Sequence, residues 1–140
     1  MKTRPSTIVS CLAALFCLSL ASGHPEHSIP VSSELAMESL LHSPLAGADH
    51  LEVFMSKVSI PPHSQLPKHW HPGEEFVYIV SGAVTLVQDG KDEVAFAAGD
   101  AGMVPLKQIH TARTGAEGVE LIVFRVHEKG QPQRVLVENQ

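Results

Sequence analysis

The chain has 140 residues, with 10 Lys and Arg against 15 Asp and Glu, a formal net charge of −5 and 44% hydrophobic residues. That length suits one small domain rather than several, and the acidic balance argues against nucleic acid or an anionic membrane surface as a partner.

From the start of the chain, Lys2 and Arg4 form a basic leader, residues 8–21 are apolar, and the small residues before Ala21 or Gly23 suit cleavage. Residues 1–23 therefore read as a secretory signal peptide. A run of about fourteen residues is too short to anchor the chain, since spanning a bilayer takes roughly twenty. Both cysteines, Cys11 and Cys17, lie in this segment, so the exported chain is expected to lack disulfides and thiol chemistry. Eight basic and fifteen acidic residues then remain, a charge of −7. The expectation is periplasmic or secreted, with no membrane partner after cleavage.

Residues 24–50 read as an N-terminal extension: a flexible leader to about residue 33, then a stretch at 33–41 able to form one short helix. Residues 51–130 form the domain and 131–140 a tail. Within the domain, short alternating runs separated by turn residues predict strands at 51–59, 75–80, 83–88, 93–96, 103–105, 110–114 and 119–126. The breaks are Pro61-Pro62, Pro72-Gly73, Ser81-Gly82, Asp89-Gly90, Gly99-Asp100 and Gly115. Asp89-Gly90 predicts a type I′ hairpin turn. So many strands in about eighty residues call for an all-β jelly roll or small barrel. Alternation puts Val77 and Ile79 inside with Glu75, and Phe76, Tyr78 and Val80 outside. Met55, Phe96 and Met103 are further candidates to line the interior by strand position, each read as core before ligand contact. An apolar outer face on strands 75–80 and 119–126 is expected to be covered by a second subunit, giving a homodimer.

The chemistry concentrates in His69-Trp70-His71, Glu75 and His110. Histidines at i and i+2 of an extended segment project from one face, so a single ion can take both imidazoles. Glu75 keeps the same parity and adds a negative ligand. Three His and one carboxylate leave one or two positions open on a five- or six-coordinate divalent ion. Burying these groups together without a cation would be costly. Glu74 reads as a solvated neighbour of Glu75, and His63 and His127 as histidines outside the site. Lys107 and Arg113 near His110 are expected to pair with surface acids rather than hold an anionic substrate.

In order and spacing these residues resemble the two cupin motifs. The first, G, five residues, H-x-H, three or four residues, E, six residues, G, is matched by His69, His71, Glu75 and Gly82, with His63 in place of the opening Gly. The second, G, five residues, P-x-G, two residues, H, three residues, N, is matched by Gly99, Pro105 and His110, with Lys107 replacing its Gly and Thr114 its Asn. No ligand is lost, but Lys107 is expected to alter the turn before His110 and bring a positive charge near the site mouth. The resemblance implies a double-stranded β-helix, a jelly-roll barrel with a short N-terminal extension. It also implies a metal held by His69, His71, Glu75 and His110, the ion being Fe, Mn, Ni, Zn or Cu. The expected function is a metal-dependent enzyme on a small oxygen-bearing molecule, either a dioxygenase or an isomerase or lyase, with Glu75 also available as a base. The alternative is a non-catalytic module binding a small solute.

Overall fold

The computed structural model describes residues 34–137, so the leader and the cleavage site lie outside the described residues. All regular structure among them is β: Ala36–Pro44 (β1), Leu51–Ile60 (β2), His69–Trp70 (β3), Gly73–Gln88 (β4), Val94–Ala97 (β5), Ala101–Val104 (β6), His110–Glu128 (β7) and Val135–Leu136 (β8). Every pairing is antiparallel.

Two long strands organise the fold. β4 and β7 pair along nearly their whole length, from Gly73 with His127 to Gln88 with His110. Each then takes different partners at its two ends. The start of β4 pairs with β6 and its end with β5, while the end of β7 pairs with β2 and its first residue with β3. The sheet curls because both strands bend in the middle, where the register shifts between Ile79 and Ser81 and again between Gly82 and Val84. These bulges invert the alternation: Glu75, Val77 and Ile79 face inward on odd numbers, Val84 and Leu86 on even ones.

Ser81-Gly82 and Gly115, expected as breaks between strands, are thus corners within continuous strands. The close approach at this corner requires glycine. Gly82 has φ +74°, and a Cβ there would sit 2.2 Å from the Gly118 carbonyl oxygen. The Asp89-Gly90 hairpin forms, but not as type I′. Gly90 has positive φ (77°) and Asp89 does not, and the Asp89 carboxylate is drawn to Lys68 Nζ at 2.7 Å.

Ile60, Ile79, Val84, Val119, Leu121 and Val123 form the core, with Ile79 and Val119 fully buried. Burying one such side chain stabilises by about 1.5–3 kcal/mol. Ile60, Ile79, Val84, Leu121 and Val123 of this core also line the cavity described below.

The stretch expected to form a helix within 33–41 is strand β1 from Ala36 onward, with residue 33 outside the described residues. Its local composition suits a helix, but β2 offers a full ladder of backbone partners from Ala36 with Ser59 to Pro44 with Glu52. β1 is an edge strand and stays exposed, with Met37, Leu40 and Leu41 at 60%, 46% and 47%. Phe76 and Tyr78 face outward as expected. β1 and β8 extend the sheet on both sides of residues 51–130.

Candidate metal centre

His69 lies on β3, directly opposite His110 at the start of β7. His71 follows two residues after His69, past Trp70, and the two rings meet edge to face with centroids 4.9 Å apart. The His110 ring lies 4.4 Å from His69 and 5.2 Å from His71. All three are buried, at 5%, 3% and 3% exposure. One ring nitrogen from each lies within 4.8 Å of the others, so the three could hold a metal ion.

The surrounding backbone fixes which nitrogen is free. Nδ1 of His69 is 2.8 Å from the Pro67 carbonyl, Nδ1 of His110 is 2.9 Å from that of Gln108, and Nδ1 of His71 is 2.5 Å from that of Gln133. A carbonyl oxygen only accepts, so each Nδ1 carries the proton and each Nε2 of a neutral ring presents a lone pair. This is the arrangement by which metal-ligating histidines are oriented. Burial favours the neutral form, pushing His69 down to about 4 and His110 below its ordinary value.

Glu75, near the start of β4, completes the cluster. Its Oε2 is 3.0 Å from His71 Nε2 and its Oε1 is 3.8 Å from His110 Nε2. Burial pushes its pKa upward, but a hydrogen bond from the His71 ring in its protonated form and then the neighbouring positive charge, Arg125 included, outweigh burial and hold it below the ordinary carboxylate value. His71 Nε2 is buried without a hydrogen-bond partner among the described residues. A lone pair and a carboxylate oxygen 3.0 Å apart repel each other unless a proton or cation lies between them. The donor set therefore fits a divalent metal on its own chemistry.

His63 and Lys107 stand where the two motifs have glycine. His63 and Lys107 are the non-glycine residues with positive φ among the described ones, at 53° and 58°. Lys107 N–H donates to the His71 carbonyl at 3.1 Å, tying the loop before His110 to the other ligand segment. Thr114, in the Asn position, accepts from Ser64 N–H at 3.0 Å and donates to the Pro61 carbonyl at 2.6 Å. Lys107 lines a separate groove with Trp70 and Leu106, not the cavity at the metal centre. Arg113 pairs with Glu93 at 2.7 Å, a surface pairing as expected. Glu74 and His63 are exposed.

The centre opens into a cavity of about 410 Å³, within the roughly 300–1,000 Å³ typical of small-molecule sites. Val77, Ile79 and Phe96 line it as expected, whereas Met55 and Met103 do not. The exposed residues Leu35, Met37, Gln133 and Arg134 stand at its edge.

One functional residue escaped the reading of the sequence. Arg125 is 4% exposed, pairs with Glu75 across β4 and β7, and brings its Nε to 3.6 Å from Glu75 Oε2. The signal was present in the alternation, since Leu121, Val123 and Arg125 share parity. An arginine in a strand ordinarily reads as a solvated position.

The Cupin domain family matches residues 56–125, half of the chain, and the chain belongs to the cupin family. No curated protein matches it. Among solved structures it resembles the DMSP lyase DddQ from Ruegeria pomeroyi, with TM-score 0.60, 22% identity, and coverage of 76% of this chain and 54% of that one. The chain thus spans about half the length of that relative. The polyketide cyclase RemF from Streptomyces resistomycificus matches with TM-score 0.55 and 25% identity over 79% of this chain and 77% of that one. An uncharacterized Klebsiella pneumoniae protein with a double-stranded β-helix domain matches with TM-score 0.56 and 20% identity over 81% and 93%.

Proposed function

We propose that the chain is an exported cupin enzyme that holds one divalent metal through Nε2 of His69, His71 and His110 and the carboxylate of Glu75. The observation that carries this reading is the common tautomer: three buried imidazoles, each with Nδ1 on a backbone carbonyl, keep a ring nitrogen of each within 4.8 Å of the others, and those of His71 and His110 face the Glu75 carboxylate. The bound ion would act as a Lewis acid, polarising an oxygen of a small ligand at an open position.

The chain's own groups do the rest. Glu75 is the acidic residue lining the cavity, is held as a carboxylate, and can take a proton at one oxygen while the other keeps its contacts. The apolar walls, Val77, Ile79, Leu86 and Phe96 among them, exclude water from that transfer. The 25% identity with a polyketide cyclase supports the isomerase or lyase branch over a dioxygenase. Exposed apolar residues on β1 and at Phe76 and Tyr78 support a homodimer, and the basic-then-apolar leader supports export with cleavage after Ala21 or Gly23.

The test is elemental analysis of the purified protein after reconstitution, alongside His71→Ala. About one equivalent of metal, absent from the variant, is expected. No metal in the wild type, or full occupancy in the variant, overturns the reading. One equivalent of metal with no turnover of any carbonyl or hydroxy substrate leaves the non-catalytic binding module instead. The mass of the exported product, starting at Ser22 or His24, checks the leader.

A further inference from the structure

We propose that Arg125 is a ligand-recognition residue, and that the cavity takes a small monocarboxylate with an apolar body, its carboxylate seated between the Arg125 guanidinium and the metal face. This deepens the metal-dependent reading and rests on it.

The argument begins with where the charge sits. Arg125 follows Leu121 and Val123 on the inward face of β7, so a permanent cation stands in an apolar row. Burying such a charge is costly unless its donors are satisfied. Arginine has five N–H donors in a rigid fork. Among the described residues, one oxygen acceptor lies in range, the Gln133 carbonyl at 3.2 Å from one terminal nitrogen; that same nitrogen is 3.4 Å from His71 Nδ1, whose proton already goes to the Gln133 carbonyl. The other terminal nitrogen meets only the Met37 sulfur at 3.9 Å. Nε is buried with no hydrogen-bond partner, and its 3.6 Å approach to Glu75 is ionic contact without a hydrogen bond. The fork is therefore largely unspent, on a side chain that lines the cavity.

Charge balance points the same way. Glu75 is the acidic residue of the cavity, while Arg125 and Arg134 both line it. With Glu75 committed to a divalent ion, two guanidiniums and that ion face a single carboxylate, an excess that an anionic ligand offsets. A guanidinium fork matches a carboxylate in two parallel bonds, which an ammonium cannot reproduce. The remaining wall is apolar, including Val58, Leu86 and Phe96, which leaves the rest of the ligand no polar partner. A sugar or a polyanion does not suit that wall; a carboxylate carrying a hydrocarbon or aromatic body does.

Calorimetry on the zinc-reconstituted protein tests this with octanoate and its neutral counterpart octanamide. Octanoate is expected to bind about tenfold to a hundredfold tighter. In Arg125→Gln that preference collapses to within about threefold, while metal content and octanamide binding persist. Equal affinity for the two probes in the wild type, or a preference that survives in Arg125→Gln, overturns the proposal. If Arg125→Gln does not fold, Arg125→Lys decides: a cation without the fork is expected to lose about fivefold or more of the preference, and an unchanged preference overturns it. Metal content is read separately. A chain that takes no zinc fails the proposed function, and the same probe pair on the metal-free protein then judges Arg125 alone.

Discussion

His127 and the three histidines of the metal centre are the same side chain at nearly the same depth, yet they are prepared for different ends. His127 is fully buried. Neither of its nitrogens has a hydrogen-bond partner among the described residues. It packs on Phe54 with ring centroids 5.4 Å apart and lies 6.1 Å from His71. His69, His71 and His110 each give Nδ1 to a carbonyl, and Nε2 of His71 and of His110 faces Glu75. Burial alone therefore does not make a histidine a ligand. In the proposed centre the backbone acceptor behind each ring fixes the tautomer that leaves a lone pair free for a metal.

The largest expected effect comes from cutting into the convergent set. His110→Ala should weaken metal binding beyond the ~10–100-fold typical of losing an outer hydrogen bond to a ligand. The β-fold, read by circular dichroism, should persist. Undiminished metal affinity would place His110 with His127 rather than with the ligands.

Acid should act on both kinds of histidine but release metal from one. His69 and His127 are both held near 4 by burial, from an ordinary 6.5. The unfolded chain takes up their protons near the ordinary value while the folded chain stays neutral. Their contribution to stability is thus complete above about pH 6.5, declines as the pH falls and is gone below about 4. A melting temperature that falls across this window is expected, and a flat profile would contradict the burial of both rings. Metal release should follow the cluster and be unchanged by substitution of His127.

Gly73 provides the seat of His127: a Cβ there would meet the Val126 carbonyl oxygen at 1.9 Å and the His127 ring at 2.4 Å. Gly73→Ala should cost about 2–4 kcal/mol in denaturant unfolding. Wild-type stability in this variant would mean that the contact is looser than the structure has it.

The smallest effect sharpens the comparison most. His127→Leu replaces two unpartnered nitrogens with an apolar group of similar volume, so stability should be unchanged or rise by about 1 kcal/mol. Metal content should hold at the wild-type level. Loss of metal in this variant would make His127 part of the centre after all.

Much of the centre was legible because its geometry is local or nearly so. The i, i+2 spacing brings His69 and His71 to one face, and alternation aligns Glu75, Val77 and Ile79. Arg125 was legible only in part: its parity is in the sequence, but the partner that makes it matter, Glu75, lies fifty residues away and meets it through the β4–β7 register. β1 was misread because helix-forming residues carry no sign of the β2 edge that recruits them. Ser81-Gly82 and Gly115 were read as ends because a glycine corner inside a bent strand and a turn between strands use the same residues.

The sequence by itself determined an all-β cupin domain and an inward histidine pair with a third histidine and a carboxylate at family spacing. The strands follow from short-range periodicity, and the family and its fourfold set from the match to the two motifs. Tertiary structure alone decided that each ligand imidazole has a carbonyl behind it, that Gln133 from the tail orients His71, and that Arg125 stands beside Glu75 with an unspent fork. Those contacts join residues far apart in the chain, and their existence depends on where two bulged strands bend.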